Sequence, residues 1–119
     1  MATPNIVNVA TINAKNATGA VTTSRATAVD VSADKVAKIN TILICNIDGS
    51  NAANITVEVS VDNGSNYVAI GSTISVPADA TLSFLDSPIY LDETDLLAVT
   101  ASANSDLTYF ISYEELDDA

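Results

Sequence analysis

Carboxylates are the one abundant reactive group in this chain. It carries 15 Asp and Glu, a single cysteine at position 45 and no histidine. Without imidazole there is no Ser-His-Asp or Cys-His catalysis, no His-ligated zinc and no His proton shuttle. Cys45, with no partner base, is not a credible nucleophile. Paired carboxylates can hydrolyse glycosides, and Asp86, Asp92, Glu93 and Asp95 fall in adjacent turns expected at one end of the domain. Sugar-cleaving sites usually add a stacking platform, however, and this chain has no Trp and only 5% aromatic residues. These acids read instead as turn formers that cap their own backbone.

The same reading covers the oxygen-rich segments that might hold Ca²⁺: Asp48-Gly49-Ser50-Asn51, Asp62-Asn63-Gly64-Ser65-Asn66 and Asp92-Glu93-Thr94-Asp95. None has the twelve-residue spacing that ends in a bidentate Glu. Gly49, Gly64 and Gly71 sit in hairpin contexts, not in a phosphate loop. Tyr67, Tyr90, Tyr109 and Tyr113 might line a ligand face, but Tyr109 and Tyr113 share one face of the last strand and are expected at the core edge. The expectation is a protein that is not an enzyme, with no catalytic residue, no cofactor, no cofactor-binding residue and no metal ligand.

The elements that would position these side chains are organised around residues 39–61. Ile55, Val57, Val59 and Val61 alternate with Thr56, Glu58 and Ser60, the period of a strand wet on one side. The preceding Ile39–Ile47 segment is apolar on both faces, with Ile42 and Ile44 on one and Ile39, Leu43, Cys45 and Ile47 on the other. Such a strand needs neighbours in its sheet and cover on both sides. Cys45, mid-strand there, is expected to be a small buried hydrophobe, chemically quiet.

Turn signals recur along the rest of the chain. Asn16–Gly19 reads as a turn with a short return strand over Ala20–Thr23, and Ala26–Val31 is a further strand. Asp62–Asn66 is a hairpin signal, because Asn-Gly tolerates positive φ at both turn positions. Tyr67–Ile70, Thr73–Val76, Thr81–Leu85, Ile89–Leu91, Leu96–Ser102 and Leu107–Tyr113 follow as strands. Gly71-Ser72 marks a bend or bulge, and an acidic tail runs over Glu114–Asp118. This spacing predicts an all-β, antiparallel two-sheet sandwich of about eight strands, Ig-like or jelly-roll.

The 119 residues suffice for one domain with its own core, and the net charge of −11 disfavours nucleic acid and anionic membrane as partners. No apolar run approaches a membrane span of about 20 residues, and no signal peptide is evident. Asn-x-Ser/Thr matches at Asn16, Asn54 and Asn63 read as chance. A soluble protein made in a reducing cytoplasm is expected.

Charge is uneven: residues 1–29 contain only Lys15 and Arg25, and every acid lies at Asp30 or beyond. Ile6, Val7, Val9 and Ile12 add strand propensity without clean alternation. We therefore expect residues 1–24 to be an N-terminal arm that joins a neighbour's sheet edge, with residues 25–119 forming the sandwich. Pairing of that segment within its own sandwich is the alternative.

From Lys38 onward the chain resembles small β-sandwich accessory proteins of tailed bacteriophage virions, of the marine and cyanobacterial phage type. The resemblance rests on Ile42-Leu43-Ile44-Cys45-Asn46-Ile47-Asp48-Gly49-Ser50, Val57–Val61, Val76-Pro77-Ala78-Asp79-Ala80, Ser87-Pro88-Ile89-Tyr90-Leu91, Asp95–Ala101 and Ile111-Ser112-Tyr113-Glu114-Glu115. It implies a non-enzymatic virion protein, made in the host cytoplasm, foremost a capsid decoration (cement) protein that bridges capsomers. Its partners would be the major capsid protein or other virion structural proteins, and it would act as a homo-oligomer or in many copies. Alternatives are a neck, tail or fibre-attachment component, or a carbohydrate-binding module for host recognition.

Overall fold

The apolar run becomes the longest buried strand. In a computed structural model, which describes residues 9–118, β3 spans Lys35–Asn46 and lies between β9, Leu107–Asp118, on one side and two short strands on the other. Those are β6, Thr81–Ser83, and β7, Ile89–Leu91. β1, Val9–Val21, adds to the far side of β9 and completes the first sheet. The second sheet has the order β2, Ala26–Asp30; β8, Leu96–Ala101; β4, Ala53–Ser60; β5, Val68–Val76. Every pairing is antiparallel, and no helix occurs among the described residues.

β6 and β7 pair with the same edge of β3 and act as one strand broken by Asp86-Ser87-Pro88, since Pro cannot continue a ladder. With those two merged, the partners β1–β9, β2–β8, β3–β6/β7 and β4–β5 are successive rungs of one long hairpin. Rolled up so that the rungs alternate between two sheets, this is the jelly-roll rather than the Ig arrangement. The two strands of the organising stretch, β3 and β4, therefore lie in opposite sheets and not side by side.

Ile39, Ile42, Ile44, Leu107 and Ile111 from the first sheet meet Ile55, Val57, Leu97 and Val99 from the second, all fully buried. Ile39 joins Ile42 although strict alternation puts it on the opposite face. The register of β3 against β9 slips between Ile39 and Thr41, so Asn40 is an extra residue that resets the alternation. Cys45 remains on the other face, with Leu43. That face points away from the core, and Cys45 is half-buried, not buried as its mid-strand position suggested.

Two further expectations are corrected. Asn16–Gly19 is not a turn: β1 runs unbroken through it, in register with β9 from Thr11 to Val21. Gly19 is there for space, because a Cβ would sit 3.0 Å from the ring of Tyr109 directly opposite. Nor is Glu114–Asp118 a tail. β9 continues to Asp118, flanked by β1 and β3, because a strand with partners on both sides satisfies its backbone whatever its side chains. Residues 9–21 of the expected arm thus pair with β9 of the same chain, and its residues 1–8, including Ile6 and Val7, lie outside the described residues. The hairpin at Asn63-Gly64 forms as expected, with both residues at positive φ, 58° and 90°.

Candidate functional site

The carboxylates singled out for chemistry are held by backbone. In the turn between β7 and β8, Asp95 is only 7% exposed; its Oδ2 accepts the Asp92 N–H at 2.9 Å. Burial pushes the Asp95 carboxyl above the usual carboxylate range. Glu93 accepts the N–H of Asp34 at 2.9 Å, and Asp92 accepts the N–H of Glu93 at 2.7 Å. Asp86 does not join them. It sits in the β6–β7 break along the side of β3, not in the adjoining end turn.

The other oxygen-rich turns are likewise closed on themselves. Asp48 accepts the N–H of Ser50 at 2.8 Å, which holds its pKa below the ordinary value. Asp62 is lowered by Asn66, whose side-chain amide and backbone N–H bind it at 2.9 and 2.8 Å. Among the described residues, no three His, Cys, Asp or Glu side chains are placed to hold a metal ion.

The tyrosines do not form a platform. Tyr109 and Tyr113 pack against the core, and Tyr90 is exposed on the outer face of the first sheet. Tyr67 lies under Arg25, whose guanidinium carbon is 4.0 Å from the ring centroid. Arg25 also makes a two-pronged contact with Glu58, Nε–Oε1 at 2.9 Å and Nη2–Oε2 at 3.1 Å. The cluster stands on the outer face of the second sheet beside Ala98, which is wholly buried although its neighbours Leu97 and Val99 take the core side. Sequence reading had no signal for it, because Arg25 and Glu58 are 33 residues apart.

A second ionic cluster was also missed. Alternation along β9 takes Glu115 and Asp117 to the same side as Ile111 and Tyr113, beyond the reach of the core. There Lys15 lies 3.2 Å from Glu115, and Lys35 lies 3.6 Å from Glu115 and hydrogen-bonds Asp117. Thr11 donates to Asp117 at 2.8 Å. These contacts hold Asp117 below and Lys35 above their ordinary values. An open depression of about 290 Å³ beside the cluster, lined by Ala33, Asp34, Lys35 and Asp117, has both of its lysine and aspartate walls already paired.

What remains is surface. On the outer face of the first sheet, register places Thr18, Phe110 and Leu43 in one row and Ala20, Thr108 and Cys45 in the next. Lys38 and Glu114, directly opposite each other, are the only charged side chains that β1, β9 and β3 turn outward over Thr11–Val21 and the positions paired with it. Phe110 and Tyr90 are 42% and 55% exposed there. The acids cluster in loops at the two ends: Asp48, Asp79 and Asp106 at one, Asp34, Asp62, Asp92, Glu93 and Asp95 at the other.

No protein-family model matches the sequence, and no curated protein matches it. Among solved structures, the fold is shared with a subunit from work on Bacillus endospore appendages described as a family of disulfide-linked pili. That likeness has a TM-score of 0.56 at 14% identity, covering 92% of this chain and 88% of that one. Two structures of a pentameric capsid protein from metagenomic phage sequences have TM-scores of 0.41 and 0.38 at 12% and 14% identity. Each covers 86% of this chain and 62% and 64% of theirs, and neither carries weight at that score. The first likeness establishes a common fold and nothing about partners.

Proposed function

We propose that this protein is a non-enzymatic structural component of a phage virion, foremost a decoration protein that docks on the outside of the head. The observation that carries the reading is the segregation of charge. In a chain of net charge −11, the outer face of the first sheet offers only the Lys38–Glu114 pair, together with exposed Phe110 and Tyr90. A broad, nearly neutral face with a few aromatic anchors suits a protein contact, whereas acid-lined ends keep the bound protein soluble and turned from nucleic acid. The jelly roll shared with a pilus-type appendage subunit is in keeping with a structural role. Separation of the four tyrosines onto different surfaces weighs against a carbohydrate-binding module, which needs a stacking platform.

Co-sedimentation with empty heads of the cognate phage tests the proposal. Saturation at a copy number matching the capsomers, abolished by Phe110→Asp, is expected. Absence of head binding by the intact, folded chain would overturn it. Saturation at a ring-like stoichiometry would favour the neck or tail reading instead. Binding to heads should depend only weakly on salt, because this face is nearly uncharged.

A further inference from the structure

We infer that the free edge of β1 is a self-pairing edge: two copies of this chain join β1 to β1 antiparallel across Thr11–Asn16, fusing their first sheets into one. This rests on strand geometry and charge and stands apart from the virion reading.

A two-sheet sandwich has four edges, and unprotected edges recruit other strands. Three are blunted here. β2 has only five residues, and β6 and β7 have three each on either side of the Pro88 loop. β5 carries two register slips against β4 and a left-handed Thr73, with φ 48°, which bends it out of a regular ladder. β1 has none of these protections. Over its 13 residues the only slip comes before Thr11, and it contains no proline and no acid. Among the described residues β9 is its only ladder partner, and the six residues Thr11–Asn16 are all exposed. A lysine on an edge strand normally discourages pairing, but Lys15 is drawn across the sheet to Glu115 at 3.2 Å.

The occupant that fits is a second copy. Antiparallel pairing of a strand with itself about a two-fold axis matches each free N–H with a C=O of the other chain, with no separate partner sequence required. Each copy bears a charge of −11, so approach is repelled wherever acids are exposed. β1 is the longest stretch of strand without one. Raising salt should therefore tighten the pairing by screening the bodies from each other, the reverse of an interface built on ion pairs.

The test begins with the wild-type chain. Sedimentation velocity is expected to give a reversible dimer that strengthens with salt, and amide exchange over Thr11–Asn16 to slow as chain concentration rises. A chain that remains monomeric at millimolar concentration in high salt overturns the inference, as does a dimer with concentration-independent exchange in this segment. Successive amides of a strand point to opposite sides, so of Asn13→Pro and Ala14→Pro one alters the free edge and the other the β9 ladder. One of the pair should abolish dimerisation while keeping the wild-type melting temperature; a dimer surviving in both overturns the inference. Ala14 and Glu114 are directly opposed in the ladder, so oxidised A14C/E114C in a C45S background locates β1. A disulfide within one chain is expected, and one between chains would mean that β1 is exchanged between copies, refuting edge-to-edge pairing.

Discussion

The two sheets of this protein bury equally apolar inner faces but are built differently outside. The first has three strands of 12 or 13 residues, β1, β9 and β3, with β9 continuously paired on both sides. It extends past the core, and where it does so its inner face changes from Ile111 and Tyr113 to the ion pairs of Lys15, Lys35, Glu115 and Asp117. The second sheet has shorter strands with slips in the pairings of β2 and β5, and its outer face is covered in part by Arg25, Glu58 and Tyr67. One sheet closes the core; the other also offers a long edge and an open, neutral face. Assembly properties can therefore be confined to one sheet while both share the stability of a single core.

Core truncations sharpen this comparison most. Ile111→Ala in the first sheet and Leu97→Ala in the second, both fully buried, should each cost about 2–5 kcal/mol by denaturant unfolding. A marked inequality would show that the sheets do not share one cooperative core. Next come the two close-packed glycines. A Cβ on Gly71 would lie 2.2 Å from the Phe84 ring and one on Gly19 would lie 3.0 Å from the Tyr109 ring. Overpacking of this kind costs about 1–3 kcal/mol, and Gly71→Ala should be the worse of the two. Equal losses would mean that the irregular second sheet absorbs strain better than the regular first one.

Titration separates the acids in a different way. Asp117 has its folded pKa depressed, first by the hydrogen bond from Lys35. Its stabilisation is present above the unfolded-state pKa and is lost as pH falls through the lower folded value. Asp95 is raised by burial, so it penalises folding increasingly as pH rises from its unfolded pKa through its folded one. Melting curves of Asp117→Asn should therefore lie below wild type at neutral pH and converge on it in acid. Those of Asp95→Asn should match wild type in acid and lie level with or above it at neutral pH. A convergence of Asp117→Asn toward high pH instead would contradict the ion-pair assignment. The smallest effect concerns Cys45. Half-buried on the outer face of the first sheet, it should be alkylated in the native protein without global unfolding, and more slowly when that face is covered by a partner. Modification limited by the rate of global unfolding would return Cys45 to the core.

Much of the strand pattern was legible because it depends on local alternation and turn chemistry. β4 announces itself through Ile55, Val57 and Val59, and the following hairpin through Asn63-Gly64, since only a few residue types accept positive φ in succession. The break at Pro88 and the slip near Gly71 were marked by the same kind of backbone restriction. Absence of imidazole, and acids placed in turns, likewise directed attention from catalysis to surface. These are properties of a residue and its near neighbours.

Features that depend on distant partners were not legible. Asn16–Gly19 has turn composition, yet a 12-residue ladder to β9 outweighs it, and Gly19 answers to Tyr109, 90 residues away. The acids after Tyr113 look like a tail until Lys15 and Lys35 are brought beside them. Periodicity separated Ile42 and Ile44 from Leu43 and Cys45 but carried no sign of which set would face the core, and the slip at Asn40 moved Ile39 from one set to the other. Sequence alone determined that strands form and which side chains share a face, because rotation along a strand is fixed by covalent geometry. Which faces meet, which edge stays open and which charges find partners were decided by the rolling of the long hairpin, a global choice that no local window of residues encodes.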